Sequence, residues 1–450
     1  MTSTDSPIEI SDVCSVPTSF RQAAKLRLHH GASRQLKPPC VFGLRIAGEV
    51  DLPLLETSLT CLARRHTALR TFFPATMSPN RGLYLRPSEV TWHLDCYDLR
   101  TRHGDRSPTD LAINMRLQQP LPPEQYPLFR AHLLRYDDHW ALGIAISHIV
   151  FDGESVAVFL RDFEYVYQHL HSGHDIAELT PIQSDFARFA SWERRWLQSS
   201  EARQSVQYWA KVWSGTGPFP TFSLPEDSRQ SADESGGLWS RTLSSVDIDR
   251  RRAAFGQGHM SLFALAAGSV LSALSNLTGG ADPGLLYTTS RRHLDAADEM
   301  IGFLNNRNLL RVRVVGATSS YEIQSRAREA LLESMDHDVI PFEYLLEQLA
   351  PDYVNYQPAD PHVYLNVDSV PAAPRLPEVN SEIIWPVAPG TFNHLPYMSI
   401  NVSRDNERRQ ITVSCGYPTR LFGPSCVNEF MDHVVSSLLL PVSSPTGLQA

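Results

Sequence analysis

The chain has 450 residues, 42% of them hydrophobic and 20% charged, with 40 basic against 49 acidic side chains and a net charge of −9. Such a composition describes a globular fold of about two to three domains, or two lobes sharing an interface. The mild acidity argues against a nucleic-acid-binding or polybasic membrane surface, and the polar segment Met1 to Thr18 has no signal-peptide pattern.

Phe20 to Leu28 reads as a helix and Val41 to Ala47 as a strand. Leu54, Leu55, Leu59, Leu62 and Ala63 recur at helical spacing between Leu52 and His66. Tyr84 to Arg86, Trp92 to Asp95, Leu128 to Tyr136 and Trp140 to Ile146 read as strands, with a turn at Asp137-Asp138 joining the last two. Val156, Phe159, Leu160, Phe163, Val166, Tyr167 and Leu170 form one face of the helix that follows. The polar stretch His171 to Pro181 reads as a linker, so the expected lobes are residues 1–175 and 176–450. Asp185 to Leu197 and Ser200 to Val212 then read as helices, and Glu226 to Gly237 as an exposed loop. Met260 to Leu277 reads as a buried helix, too serine-interrupted to cross a membrane. Gly284 to Thr289 and Asn308 to Val315 read as strands, and Tyr321 to His337 as a helix. Val363 to Val367, Tyr397 to Val402 and Ile411 to Tyr417 are further strands, and Val427 to Leu439 is the last helix. Mixed helices and hairpin-linked strands imply an α+β sandwich.

Cys14, Cys40, Cys61, Cys96, Cys415 and Cys426 form no C-x-x-C pair and no zinc spacing. Scattered thiols read as reduced and buried, in a cytoplasmic protein. His29-His30 and the group His169, His171 and His174 have no carboxylate or thiolate partner near them in sequence, so no metal site is expected.

The chemistry concentrates in Ser147-His148-Ile149-Val150-Phe151-Asp152-Gly153. The apolar run Trp140 to Ile146 leads into it and the amphipathic helix leads out of it. A histidine therefore sits on the loop where a buried strand ends. Histidine ionises near neutral pH and can take a proton from an attacking amine or hydroxyl. Ser147 is not expected to act as a nucleophile with His148 as its base, because adjacent residues of an extended strand point to opposite faces. The alternative for the motif is a core histidine beside a turn.

Further segments make the reading specific. Ser19 and Gln22, Arg65 to Phe73, Ser147 to Ser155, Ser184 to Ala187 with Trp192, Ile301 to Arg307 with Arg311, His337 to Glu343, and Leu224 to Asp227 occur in the order found in one family. The chain resembles a free-standing condensation domain of nonribosomal peptide synthetases, within the chloramphenicol-acetyltransferase-like superfamily that carries H-x-x-x-D-G. The resemblance implies two α/β sandwich lobes forming a V around a central tunnel, with the active loop at their junction. Ser147 replaces the first histidine of the family's pair. Asn305 and Arg307 replace the usual Val and Thr around Asn306, and the seventh family motif is not recognisable.

The resemblance implies that His148 faces the tunnel as general base, or orients the nucleophile. It implies that Asp152 turns away from the tunnel and pairs with Arg291, holding the loop. Gly153 permits the turn and offers a backbone N–H to the substrate. Ser155 reads as a helix cap. Arg70 and Asn306 match family structural positions and read as scaffold, and Trp192, Trp196, Tyr208, Trp209 and Trp213 as core.

The expected function is acyl transfer from a carrier-protein thioester to a small-molecule amine or alcohol, forming an amide or ester in natural-product biosynthesis. No cofactor is bound; phosphopantetheine arrives on an acyl or peptidyl carrier protein, or as CoA. The sequence contains no adenylation region and no G-G-x-S carrier signature, so the carrier is expected to dock in trans, on a monomer. The alternatives are an acyl-CoA-dependent acyltransferase of the same superfamily and a non-catalytic condensation-like recruitment module.

Overall fold

The computed structural model describes residues 13–31, 38–100, 116–175, 182, 185–222, 236–255, 260–280, 282–292, 297–315, 319–354, 361–384 and 397–439. The chain divides into two compact units, and the boundary differs from a break at residue 175. The first unit runs through Ser199 and takes back Ser290–Asn305 and Pro371–Gly390; the second holds the rest. The reason is visible in the pairing. Strand Asn380–Ile384, late in the sequence, aligns antiparallel with Cys40–Ala47 and completes the first unit's sheet. The expected linker at residues 176–181, the Leu224 to Asp227 match, Ser184 and most of Glu226 to Gly237 lie outside the described residues.

In the first unit a five-stranded sheet runs Asn380–Ile384, Cys40–Ala47, Trp140–Ile146, Phe129–Arg135, Asp95–Asp98. Trp140–Ile146 is central and buried on both faces, which explains its continuous apolar run. Helices Leu52–Arg65 and Gly153–His171 cover the sheet. Phe159 of the second meets Phe42 edge-on at 5.3 Å between ring centres. Each such fully buried side chain contributes about 1.5–3 kcal/mol. The expected strand Trp92 to Asp95 is displaced: pairing starts at Asp95, while Trp92 is buried and stacks on Phe129 at 3.6 Å. A small sheet of Val13–Pro17, Arg81–Leu85 and Thr71–Phe72 completes the unit.

The second unit is built on a six-stranded sheet, in order Asn306–Arg311, Gly284–Thr289, His362–Ser369, Tyr397–Asp405, Gln410–Pro418, Gly236–Ser244. The helix Leu262–Thr278, capped by Ser261, is its most buried helix, its core reaching Tyr287, Leu365 and Ile400 on one sheet face. Among the described residues no helix is long and apolar enough to cross a membrane. Of the six cysteines only Cys61 and Cys415 are buried; Cys96 is exposed, against the expectation of uniformly buried thiols.

Candidate functional site

The loop of interest is held from four directions within the first unit. Strand Trp140–Ile146 delivers it, and the Ser147 N–H donates to Leu128 O at 2.8 Å. Val150 N–H closes a turn onto Ser147 O at 3.1 Å, so His148 rides on a tight turn just past the strand. Ser19 and Gln22 form a reciprocal capping box on helix Phe20–His30: Ser19 Oγ accepts from Gln22 N–H, and Gln22 Oε1 from Ser19 N–H. That leaves the Gln22 amide nitrogen to donate to Ile149 O at 2.8 Å, inside the loop. The His148 ring is half-buried and meets Phe303 edge-on at 5.3 Å. The Arg21 guanidinium lies over the Phe303 ring at 4.6 Å.

Asp152 is fully buried and caps helix Gly153–His171. Its carboxylate is saturated. Oδ1 lies 2.9 Å from Ser155 N, 2.7 Å from Ser155 Oγ and 2.9 Å from Arg292 Nη2; Oδ2 accepts from the N–H groups of Leu304 and Asn305, both at 3.0 Å. Burial alone would raise this carboxyl, but Arg292 and the Ser155 and Asn305 hydrogen bonds outweigh it and hold the group below the usual carboxylate range. Asp152 thus fastens the His148 loop to the segment Ile301–Asn305. Ser155 reinforces the joint through Gly302, whose N–H and carbonyl lie 3.1 and 3.0 Å from Ser155 Oγ. Gly302 must lack a side chain, since a Cβ would sit 2.1 Å from the Phe186 ring.

The expected Asp152–Arg291 pair is not formed; the partner is the next residue. Arg291 adopts a left-handed backbone, with φ 51°, and its buried guanidinium bonds Glu193 Oε1 at 2.6 Å and Leu304 O at 2.6 Å. This turn presents Arg292 to Asp152 instead. Arg292 also donates to Ala297 O and Met300 O. Nor is Ser155 the helix cap: Asp152 takes that role and Ser155 lies one turn in.

Glu193 and Asp162 are two buried carboxylates that the motif reading passes over. Glu193 joins Arg291 to the first turn of helix Phe20–His30 by accepting from Phe20 N–H at 2.6 Å. Asp162 receives His66 Nε2 at 2.9 Å and Arg65 Nε at 3.2 Å, clamping the two covering helices together. Burial pushes the His66 imidazole down, more than Asp162 raises it. Both acids fall on apolar helical stripes, Phe186-Phe189-Ala190-Glu193 and Phe159-Asp162-Phe163-Val166, and that spacing is the available signal.

Arg70 is buried over the Tyr84 ring and donates to Leu85 O at 2.5 Å. Asn306, in the second unit, gathers Asp338 O, Ile340 O and the Phe342 N–H at 2.7–3.0 Å. Gly153 opens helix Gly153–His171, is exposed, and has ordinary helical backbone rather than a left-handed one. A Cβ there would meet nothing within 4 Å. Its N–H belongs to the first helical turn, where no helical carbonyl is available. The turn therefore does not require glycine; the position keeps space open beside a backbone donor.

His29 and His30 do meet a carboxylate, contrary to expectation, because Glu124 comes from a distant part of the chain. Its Oε1 lies 2.7 Å from His29 Nε2 and 3.3 Å from His30 Nε2. These are hydrogen-bond separations. Among the described residues this is the one group of three His, Cys, Asp or Glu donors able to converge on an ion.

Comparison with known proteins agrees across the chain. The Condensation domain family matches residues 40–449. Linear gramicidin synthase of Brevibacillus parabrevis is 30% identical over 315 residues, which is 68% of this chain and 4% of the relative, so the chain spans a small part of that synthetase's length. The X-domain in its complex with OxyB from teicoplanin biosynthesis superposes with TM-score 0.75 at 23% identity, covering 94% of this chain and 92% of that one. The epimerization domain from the third module of tyrocidine synthetase B gives TM-score 0.77 at 16% identity, covering 95% and 96%. At these identities the solved structures establish the fold, which is the chloramphenicol-acetyltransferase-like α+β fold. With the family match spanning nearly the whole chain, this protein belongs to the Condensation domain family.

Proposed function

We propose that the chain transfers an acyl group from a phosphopantetheine thioester on a carrier protein, docked in trans, to an amine or hydroxyl. The observation that carries this reading is the pairing of a half-buried imidazole on a pinned loop with an open backbone donor at Gly153, five residues on in sequence. The acceptor nitrogen or oxygen attacks the thioester carbonyl while His148 removes its proton. The negative charge on the carbonyl oxygen is met by the Gly153 N–H and the positive end of helix Gly153–His171. The C–S bond then breaks, and the imidazolium returns the proton to the departing thiolate. Asp152, Arg291, Arg292 and Glu193 position the loop.

Gly153 separates this reading from a purely structural one. Gly153→Ala is expected to fold and to gain about 0.4–1 kcal/mol in stability, because the backbone suits alanine and the methyl group meets nothing. Turnover should nevertheless fall, since the methyl group fills the space reserved for the thioester. Unchanged turnover in a stabilised Gly153→Ala protein contradicts the oxyanion role; melting curves and initial rates decide it.

The donor is tested by supplying one acyl group both on a carrier protein and as a CoA ester at matched concentration. The carrier form is expected to give the higher kcat/KM. A higher value with acyl-CoA overturns the carrier claim in favour of a CoA-dependent acyltransferase. A second reading, a non-catalytic recruitment module, is favoured by the likeness to an X-domain found in complex with OxyB and by Ser147 standing where the family has a histidine. Tight binding of an oxygenase without any acyl transfer would establish it.

A further inference from the structure

Arg307 lies on strand Asn306–Arg311 of the second unit, on the sheet face opposite the helix-packed one. Its guanidinium sits between two rings, 5.4 Å from the centre of Phe342 and 5.5 Å from that of Tyr364. Such bracketing holds the planar group in place without using its five N–H donors. Nε is buried and has no hydrogen-bond acceptor. Among the described residues no carboxylate reaches ion-pair distance of it; the buried Glu343 contributes only longer-range attraction. Arg292 shows the contrast, with two carbonyls, a hydroxyl and a carboxylate around its fork. A permanently charged guanidinium with an unused buried donor costs stability, so its retention calls for a ligand.

The neighbours are suited to a small polar molecule. Thr288 faces Arg307 across the strand pair. Its hydroxyl lies 2.9 Å from Tyr364 Oη and also contacts the Asn366 side chain, whose amide nitrogen donates to Asn401 Oδ1 at 3.1 Å. These residues form a half-exposed polar row across four strands, with Arg307 as its one cation.

We propose that Arg307, bracketed by Phe342 and Tyr364, binds the carboxylate of a small substrate. The inference rests on the acyl-transfer reading for the word substrate. It narrows the class to molecules with a free carboxylate, such as an amino acid not esterified to a carrier. The planar carboxylate suits the guanidinium fork.

The test needs no turnover, so it fails or succeeds independently of that reading. Acetate, acetamide and inorganic phosphate are titrated into the full chain while side-chain Nε–H signals of arginine are followed by nuclear magnetic resonance. The signal absent from Arg307→Lys identifies Arg307. It is expected to move saturably with acetate, in the millimolar range, and to stay still with acetamide. Arg307→Gln, checked for folding by its melting curve, should weaken acetate binding about tenfold. The proposal is overturned if the signal does not move, moves equally with acetamide, or responds to phosphate more tightly than to acetate. Equal acetate affinity in a folded Arg307→Gln protein also overturns it. If that variant does not fold, the Arg307 signal of the unaltered chain decides alone.

Discussion

His148→Ala is expected to leave the fold intact and to reduce turnover by about 10²–10⁴-fold, the usual worth of general-base assistance. The structural half follows from the contacts. The loop is fixed by backbone and Asp152 bonds: Ser147 N–H to Leu128 O, Gln22 to Ile149 O, and the five contacts on the Asp152 carboxylate. None of these uses the imidazole. The ring's own packing is against Phe303, which Arg21 covers from another side. Circular dichroism and a thermal melt should therefore match the unaltered chain while acyl transfer collapses. A folded His148→Ala protein with near-normal turnover is incompatible with the base role, and a loss well short of tenfold favours orientation over proton transfer.

Asp152→Ala is expected to cost about 3–5 kcal/mol of stability, because it leaves the Arg292 charge and two backbone N–H groups without their acceptor in a dry interior. Turnover falls with it, since Ile301–Asn305 and the His148 loop lose their shared anchor. The pairing itself is checked by double-mutant cycles. Asp152→Ala should couple strongly to Arg292→Ala and weakly to Arg291→Ala, whose partner is Glu193. The reverse pattern would restore the Asp152–Arg291 pair. The sign with pH is fixed by the depressed carboxyl. The stabilisation is fully present above the unfolded carboxylate value of about 4, and is lost as pH falls through the lower folded value. Denaturant melts from neutral to acid pH should show that slope shrink in Asp152→Asn.

The parts of the site that are local in sequence are legible in it. Trp140–Ile146, the loop and helix Gly153–His171 form one continuous strand-loop-helix, and the apolar spacing locates each piece. The ion pair is not local, and its assignment misses by one residue. Arg291 and Arg292 are chemically identical neighbours, and only the left-handed turn at Arg291 decides which of them reaches Asp152. Glu193 and Asp162 are legible as acids on apolar stripes, although their partners, Arg291 and Phe20 for one and His66 and Arg65 for the other, are not. Strand Gly236–Ser244 escapes the pattern because it is an edge strand, exposed along most of its length and without apolar alternation. Strand Asn380–Ile384 escapes because its partner, Cys40–Ala47, lies far back in the chain.

The claim that this chain is an acyl-transferring enzyme centred on His148 is tested most directly by the discharge of a loaded carrier protein. Acyl-carrier is mixed with the chain and a panel of amines and alcohols, and both carrier and small molecules are read by mass spectrometry. The account predicts that the carrier returns to its free thiol only when an acceptor is present. The acyl group should then appear as an amide or ester, and His148→Ala should abolish this discharge. Discharge at the same rate with His148→Ala, or with no acceptor present, would contradict it.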